Sequence, residues 1–218
     1  MNRLDIMKAL VLKISIGLLS MLPFTINAEL IVLASPQSQD KYYAEKIDDI
    51  FDFHVDYAKK IIQNGDNVMI LTDQQLYPDY VKALGKQHVT IAPMQDIWMR
   101  DFSSANPNQP VLFRYTAAGQ GGTKKAQAIS DDVQADFKAY SQKAGLKFTQ
   151  TQLLNDGGNW VEDGYGNVVL STKFLADNHL TETQARAQLI RLTGAKHIAF
   201  IEADEQGGLE HADGVVSF

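Results

Sequence analysis

The chain has 218 residues, of which 45% are apolar and 21% are charged, and its formal net charge at pH 7 is -6. This composition is typical of one folded domain and argues against a disordered or fibrous protein. No run of lysine and arginine could track phosphate groups, which argues against a nucleic-acid partner, and the acidic balance favours a cationic ligand.

The first 28 residues have the organisation of a secretory signal peptide. Basic residues precede an apolar stretch over residues 14–26, and Ala28 supplies a small residue for cleavage before Glu29. The stretch is shorter than the roughly 20 apolar residues that a membrane-spanning helix needs. We therefore expect cleavage without a stable membrane anchor, a mature domain over residues 29–218, and a periplasmic or secreted location.

After this segment, apolar runs that indicate strands alternate with amphipathic patterns that indicate helices. The first helix has an apolar face that ends at Ile62, and Asn64 with Gly65 closes it. Thr181 and Gln184 form a capping box that opens the last helix. The pattern predicts strands at residues 30–34, 68–71, 89–92, 111–115, 147–154, 168–170 and 197–201, and helices at residues 42–63, 80–84, 126–144 and 182–192.

These elements recur in loose units of about 50–60 residues, which favours a repeated α/β module over a single Rossmann sheet. Residues 94–108 are expected to form a polar loop, residues 119–122 a flexible loop without a phosphate-binding motif, and residues 204–208 a turn. A strand is expected to begin at Val215. Because a chain seldom ends inside an apolar strand, we expect that the sequence is truncated.

Three polar clusters follow strands or lie in glycine-rich turns, at residues 96–101, 155–160 and 211–214. Each has a structural interpretation of its own. Trp98 could anchor a core beside an ion pair of Arg100 with Asp101, and the glycines and asparagines of residues 155–167 are expected to supply turns with positive φ. His211 could be a packed histidine or could share a metal contact with Asp213.

Taken together, the clusters contain the residue types that a guanidinium site needs. A guanidinium group stays charged at physiological pH and is bound by carboxylates that accept its N–H donors, for which Asp101 and Asp213 are candidates. Loss of an amine from its central carbon needs a general acid, and a histidine beside a carboxylate suits that role at neutral pH. In an extended segment, the spacing of His211 and Asp213 places both side chains on one face.

At this point the sequence resembles a known family. The residues Asp96-Ile97-Trp98-Met99-Arg100-Asp101, Asp156-Gly157-Gly158-Asn159 with Asp163-Gly164-Tyr165-Gly166, and His211-Ala212-Asp213 are similar to the ordered motifs of the agmatine deiminases and Porphyromonas-type peptidyl-arginine deiminases. The similarity spans most of residues 30–218. Three motifs in order are far more specific than one.

The resemblance implies an α/β fold that is part of a pseudo-fivefold, pentein-like α/β propeller built of strand-strand-helix-strand modules. It implies that Asp101 and Asp213 bind the guanidinium, that His211 transfers protons, and that Trp98 packs on the substrate, while Asp156 and Asn159 line the pocket. The implied reaction hydrolyses the guanidino group of agmatine or peptidyl arginine to a ureido group plus ammonia, through a covalent intermediate on cysteine and without metal or organic cofactor.

The sequence departs from the family at the nucleophile, because it contains no cysteine. Family members place that cysteine near the C-terminus, beyond the His-x-Asp motif. Loss of a covalent nucleophile can reduce turnover by about 10⁶, so we expect an inactive fragment of an exported deiminase.

Two other functions stay open. One is a non-catalytic protein that binds guanidinium ligands, and the other is a metal hydrolase that uses His211 and Asp213, for which no third ligand stands at a recognisable spacing. The sequence leaves open whether the ligand is a small molecule or a peptide, although export favours arginine in peptides. It makes no prediction of the oligomeric state.

Overall fold

A computed structural model describes residues 29–106, 109–116, 122–202 and 211–218. The expected signal peptide, the first three residues of the expected loop at 119–122 and the expected turn at 204–208 lie outside these residues. Three separate sheets follow one another along the described chain, and helices connect their parallel strands. The predicted mixed α/β class is therefore confirmed.

The first sheet has the order β1-β2-β3 and is parallel throughout. Its strands are β1 (Leu30–Ala34), β2 (Asn67–Thr72) and β3 (Val89–Ile91), and its helices are α1 (Ile47–Gln63) and α2 (Tyr77–Leu84). The helices cover the sheet and bury apolar side chains such as Ala58, Ile70 and Tyr80. Gly65, at a φ of 93°, turns the chain from α1 into β2.

Helix α1 is shorter than predicted, because it begins at Ile47 and not at residue 42. Tyr42 is exposed and Tyr43 donates a hydrogen bond to Asp96 Oδ1, so this segment has no apolar stripe that would extend the helix over the sheet. At the other end, the predicted Ile62 is exposed and Ile61 is buried in its place. The buried face of α1 is thus rotated slightly relative to the prediction.

The second sheet pairs β4 (Val111–Arg114) in parallel with β5 (Thr149–Leu154), and α4 (Lys124–Ala144) connects them. Alternate residues of β4 face two different cores, since Leu112 packs towards the first sheet while Val111 and Phe113 pack towards the third. Gly145 ends α4 in the left-handed region, and the predicted end of this helix at residue 144 is confirmed.

A four-residue helix, α3 (Met99–Phe102), lies within the segment that was predicted to be a loop. Its length is close to one helical turn, which is too short for a sequence period to be visible. Phe102 is fully buried and Met99 nearly so, in the core between the first and second sheets. Burial of these two side chains therefore explains a helix that local pattern does not indicate.

The third sheet contains β6 (Val161–Glu162), β7 (Asn167–Ser171) and β8 (His197–Ile201), with β6 antiparallel and β8 parallel to β7. Helices α5 (Lys173–Asp177) and α6 (Glu182–Thr193) connect β7 to β8. The predicted capping box of Thr181 with Gln184 is present, whereas the five-residue α5 was not predicted. The strand-strand-helix-strand order is seen in this third unit, while the first two sheets are parallel.

The prediction of a strand from Val215 is wrong. A 3-10 turn, Ala212–Gly214, precedes residues 215–218, and these pair with no strand of the described chain. The three sheets also do not join into a closed ring within the described residues. In the same part of the chain, no helix combines the length and the apolar character that crossing a membrane requires.

Candidate active site

The three polar clusters meet at one place in the fold. Helix α3 packs against the 3-10 turn Gly157–Asn159, and this turn packs against the 3-10 turn Ala212–Gly214. The first segment lies between the first and second sheets, the second leads into the third sheet, and the last follows β8. The structure thereby brings together four predicted site residues: Asp101, Asp156, His211 and Asp213.

Two consecutive glycines allow this close approach. A Cβ atom added at Gly157 would lie 1.7 Å from the carbonyl oxygen of Arg100, and one at Gly158 would lie 2.4 Å from His211 Nδ1 and 3.0 Å from Asp101 Oδ1. No larger residue fits at either position without moving the site. The Gly158 N–H donates to Asp101 Oδ1 at 3.0 Å, which fixes that carboxylate against the turn.

Positive φ, which the sequence pattern predicted for the glycines of residues 155–167, is not the reason for Gly157 and Gly158. Positive φ occurs at Gly164 and Gly166, with values of 74° and 103°, but not at Gly157, Gly158 or the asparagines around them. Gly157 and Gly158 are required because a side chain there would overlap with residues of the other two clusters, which are distant in sequence.

His211 and Asp156 form the central contact of the cluster. Nε2 of His211 lies 2.9 Å from Oδ2 of Asp156, and their side chains are 12% and 4% exposed. The other oxygen of Asp156 accepts the backbone N–H of Thr116 at 3.2 Å. Asp156 is therefore held at both oxygens and orients the imidazole ring.

The carboxylates and the histidine change each other's proton affinity. Burial raises the pKa of Asp101 to about 6; the charge of His211 opposes this shift, and the charges of Asp156 and Asp213 add to it. Burial alone would lower the pKa of His211, but its hydrogen bond to Asp156 and the three nearby carboxylates outweigh burial and raise it. The cluster is thus a place where a positive charge is stabilised.

Asp213 does not lie beside His211 on an extended face, as the spacing had suggested. Its segment is a 3-10 turn with His211 at the N-cap, so the two residues do not share the face of an extended strand. Oδ2 of Asp213 accepts a hydrogen bond from Arg100 Nε at 3.1 Å, and Arg100 Nη2 also donates to the carbonyl oxygen of Trp160 at 3.2 Å. The alternative ion pair of Arg100 with Asp101 is not formed, because neighbouring residues of a helix point in different directions.

The remaining predicted residues occupy contrasting positions. Trp98 is 59% exposed at the start of α3, so it is not a core anchor and its ring is accessible to a ligand. Asn159 is buried; its Oδ1 accepts the Ser171 N–H at 2.7 Å and its Nδ2 donates to Asn155 Oδ1 at 3.1 Å. These bonds hold the turn that carries Asp156, and a role for Asn159 in lining the pocket stays a prediction.

A cavity of about 740 Å³ lies next to the cluster. Arg100 and Gly157 line it together with apolar side chains of β1 and α4, whereas the four acidic and histidine residues do not. Among the described residues, no group of three or more histidine, cysteine, aspartate or glutamate side chains is arranged to hold a metal ion.

The sequence profile of the Porphyromonas-type peptidyl-arginine deiminases matches residues 23–218. The chain belongs to this family. The predicted resemblance is therefore confirmed. No curated protein matches the sequence.

Solved structures of deiminases have the same fold. An agmatine deiminase from C. jejuni is 18% identical, with a TM-score of 0.62 over 84% of this chain and 56% of that one. The agmatine deiminase of Enterococcus faecalis is 18% identical, with a TM-score of 0.63 over 88% and 55%. An arginine deiminase from Porphyromonas gingivalis is 15% identical, with a TM-score of 0.56 over 80% and 54%. The chain spans little more than half the length of each structure.

Within this member of the deiminase family, sequence reasoning missed the partners of the site residues. Arg100 was considered only as a partner of Asp101, and Asn155 was treated as part of a turn. The adjacent glycines were the available signal, because glycine is also used where other atoms approach the backbone closely. Which atoms approach them depends on contacts between distant segments.

Proposed function

We propose that this chain binds the guanidinium group of agmatine or of peptidyl arginine at the cluster of Asp101, Asp156, His211 and Asp213. The observation that carries the proposal is the convergence of these residues from three distant segments, with His211 2.9 Å from Asp156. The reaction proposed for the site is hydrolysis of the guanidino group to a ureido group plus ammonia.

The charge of the cluster supports binding of a cation. The pKa of Asp101 is raised because its ionised form is partly buried near two other carboxylates. A guanidinium group beside Asp101 would offset this repulsion and would donate N–H groups to Asp101 and Asp213. The exposed ring of Trp98 is proposed to pack on the planar ligand, and Asn159 to hold the turn beneath it.

Proton transfer is the proposed role of His211. Replacement of a C–N bond by a C–O bond at the central carbon requires a proton on the departing nitrogen. The pKa of His211 is raised by Asp156 and the neighbouring carboxylates, so the imidazole is available as a proton donor near neutral pH. Asp156 is proposed to keep the ring in place for this step.

The reaction also needs a nucleophile, and these 218 residues contain no cysteine. We therefore propose that this chain alone binds guanidinium ligands without turning them over, and that turnover requires a nucleophile from outside these residues. One related structure is a C. jejuni agmatine deiminase with substrate bound, which is 19% identical to this chain and covers 88% of this chain. We further propose that the chain is part of an α/β propeller. We also propose that it is exported and cleaved after Ala28.

Calorimetry with the purified chain tests this proposal. Agmatine and a short arginine peptide are titrated into the protein, and ammonia is measured in the same samples. We expect saturable binding of one or both ligands without ammonia release. A diamine of similar length without a guanidinium group is the control ligand and should bind much more weakly. Absence of binding to every guanidinium ligand would refute the proposal, and ammonia release would refute the requirement for an external nucleophile.

A further inference from the structure

Arg100 places a guanidinium group of the protein itself on one of the carboxylates proposed to bind the ligand. Its Nε donates to Asp213 Oδ2 at 3.1 Å. We propose that Arg100 competes with guanidinium ligands for Asp213 and thereby sets the affinity of the site. This inference rests on the proposed function and adds a residue that lowers the affinity of the site.

The contact is suited to displacement because it is partial and accessible. Arg100 uses Nε on one oxygen of Asp213, whereas Arg114 uses both Nε and Nη2 on the two oxygens of Asp131. The side chains of Arg100 and Asp213 are 60% and 36% exposed. Ion pairs with such exposure contribute little to stability, so a ligand that also contacts Asp101 has additional binding energy with which to replace Arg100.

The surroundings of Arg100 provide an alternative position for its side chain. Its backbone is fixed, since the Arg100 carbonyl oxygen lies against Gly157. Arg100 is one of the residues that line the 740 Å³ cavity next to the cluster, and its Nη2 already donates to the carbonyl oxygen of Trp160, another lining residue. Release of Asp213 therefore leaves the guanidinium of Arg100 with a hydrogen-bond acceptor and with space.

Charge repulsion explains why the two guanidinium groups exclude each other. Asp213 lies within electrostatic range of Asp101 and His211, since its charge affects the pKa of both. A ligand that reaches Asp101 and Asp213 together comes close to Arg100 in its present position. Two like charges on one carboxylate oxygen repel each other, so binding is favoured when Arg100 moves or is removed.

The test compares Arg100→Gln with wild type by calorimetry, using guanidinium ion and agmatine at low salt. Glutamine removes the charge and keeps a donor for the Trp160 carbonyl. We expect agmatine to bind about 3–10-fold more tightly to Arg100→Gln, a range typical of removing one like charge near a partly exposed site. Arg100→Lys, which keeps the charge, should bind closer to wild type.

Arg114→Gln is the matched control, because it removes an arginine of another ion pair, on β4 and α4. Its affinity for agmatine should equal that of wild type. If wild type binds and a folded Arg100→Gln binds equally or more weakly, the inference is wrong and the proposed function stands. If neither protein binds any guanidinium ligand, both are wrong.

Discussion

Nε2 of His211 lies 2.9 Å from Oδ2 of Asp156, a residue 55 positions earlier in the chain. Thr116 holds the other oxygen of Asp156, and Gly158 lies against the opposite nitrogen of the ring. The imidazole is therefore oriented from both sides. A change at Asp156 should therefore change the proton affinity of His211.

We predict that Asp156→Asn lowers the pKa of His211 towards or below its usual value. The amide cannot supply the charge that offsets burial of the imidazolium. Titration of the His211 ring protons by NMR measures the change. Asp177→Asn, which removes a carboxylate paired with Lys173 in α5, is the control and should leave the His211 titration unchanged. An unchanged titration in Asp156→Asn would contradict the assigned contact.

Gly158→Ala should disrupt the site by steric overlap. The new methyl group would lie 2.4 Å from His211 Nδ1, so the turn or the ring must move. We expect a loss of about 1–3 kcal/mol in the free energy of unfolding together with weaker agmatine binding. Urea unfolding and calorimetry measure the two effects.

Gly65→Ala separates this overlap from general strain. Gly65 has a φ of 93° and no atom within 4 Å of an added Cβ. This variant should lose about 1 kcal/mol of stability through backbone strain while agmatine binding stays at the wild-type level. If Gly158→Ala and Gly65→Ala weakened agmatine binding equally, the overlap of Gly158→Ala with His211 would not be the cause of the weaker binding.

Asp101→Asn should make the folded chain more stable above pH 6. The pKa of Asp101 is raised to about 6 in the folded protein, so the folded state binds more protons than the unfolded state between about pH 4 and 6. The free energy of unfolding contributed by this group therefore falls as the pH rises through that range. Asparagine removes the cost, which we expect to be about 3 kcal/mol at pH 7.5 and to vanish near pH 4.

Urea unfolding of wild type and Asp101→Asn across this pH range measures the difference. Asp52→Asn, at an exposed position of α1, serves as the control and should follow wild type closely. A difference between wild type and Asp101→Asn that does not change with pH would rule out the cost of ionisation as its cause.

His54 should make the protein sensitive to acid. It is buried in α1, its Nδ1 lies 3.2 Å from the hydroxyl of Tyr80, and burial lowers its pKa to about 4. The folded state therefore binds fewer protons than the unfolded state between pH 6.5 and 4, and stability falls as the pH falls, by up to about 1.4 kcal/mol per pH unit. His54→Gln should flatten this dependence. His197→Gln, at an exposed histidine of β8, should retain it.

Thr181→Ala tests the capping box of α6. The threonine side chain accepts the Gln184 N–H, and the glutamine side chain accepts the Thr181 N–H. Loss of this cap should cost about 1 kcal/mol of unfolding free energy. Thr183→Ala lies on the exposed face of the same helix and should have almost no effect. Thermal unfolding of both variants measures the difference.

The sequence predicted the elements that carry a long or regular pattern. β1 and β8 have the predicted bounds, and the capping box locates α6. It did not predict α3 and α5, which are about one turn long and bury Phe102 and Phe174. Short helices of this kind depend on tertiary packing, and no local period indicates them.

For the site, the residue types indicated the cluster but not its pairs. Asp156 was predicted to line the pocket, but its contact with His211 was not predicted, and neither was the pairing of Asp213 with Arg100. These pairs depend on the 3-10 turn at residues 212–214 and on the space left by Gly158. Both are consequences of contacts between segments more than 50 residues apart, as the 55 positions between Asp156 and His211 show.

The contact of Arg100 with Asp213 joins residues 113 positions apart. A ligand that bridges Asp101 and Asp213 would make the same connection and would close a loop that contains the second and third sheets. Such a ligand would act as a reversible crosslink, since it binds the folded chain and not the unfolded one. Its affinity would then be visible as added resistance of both sheets to unfolding.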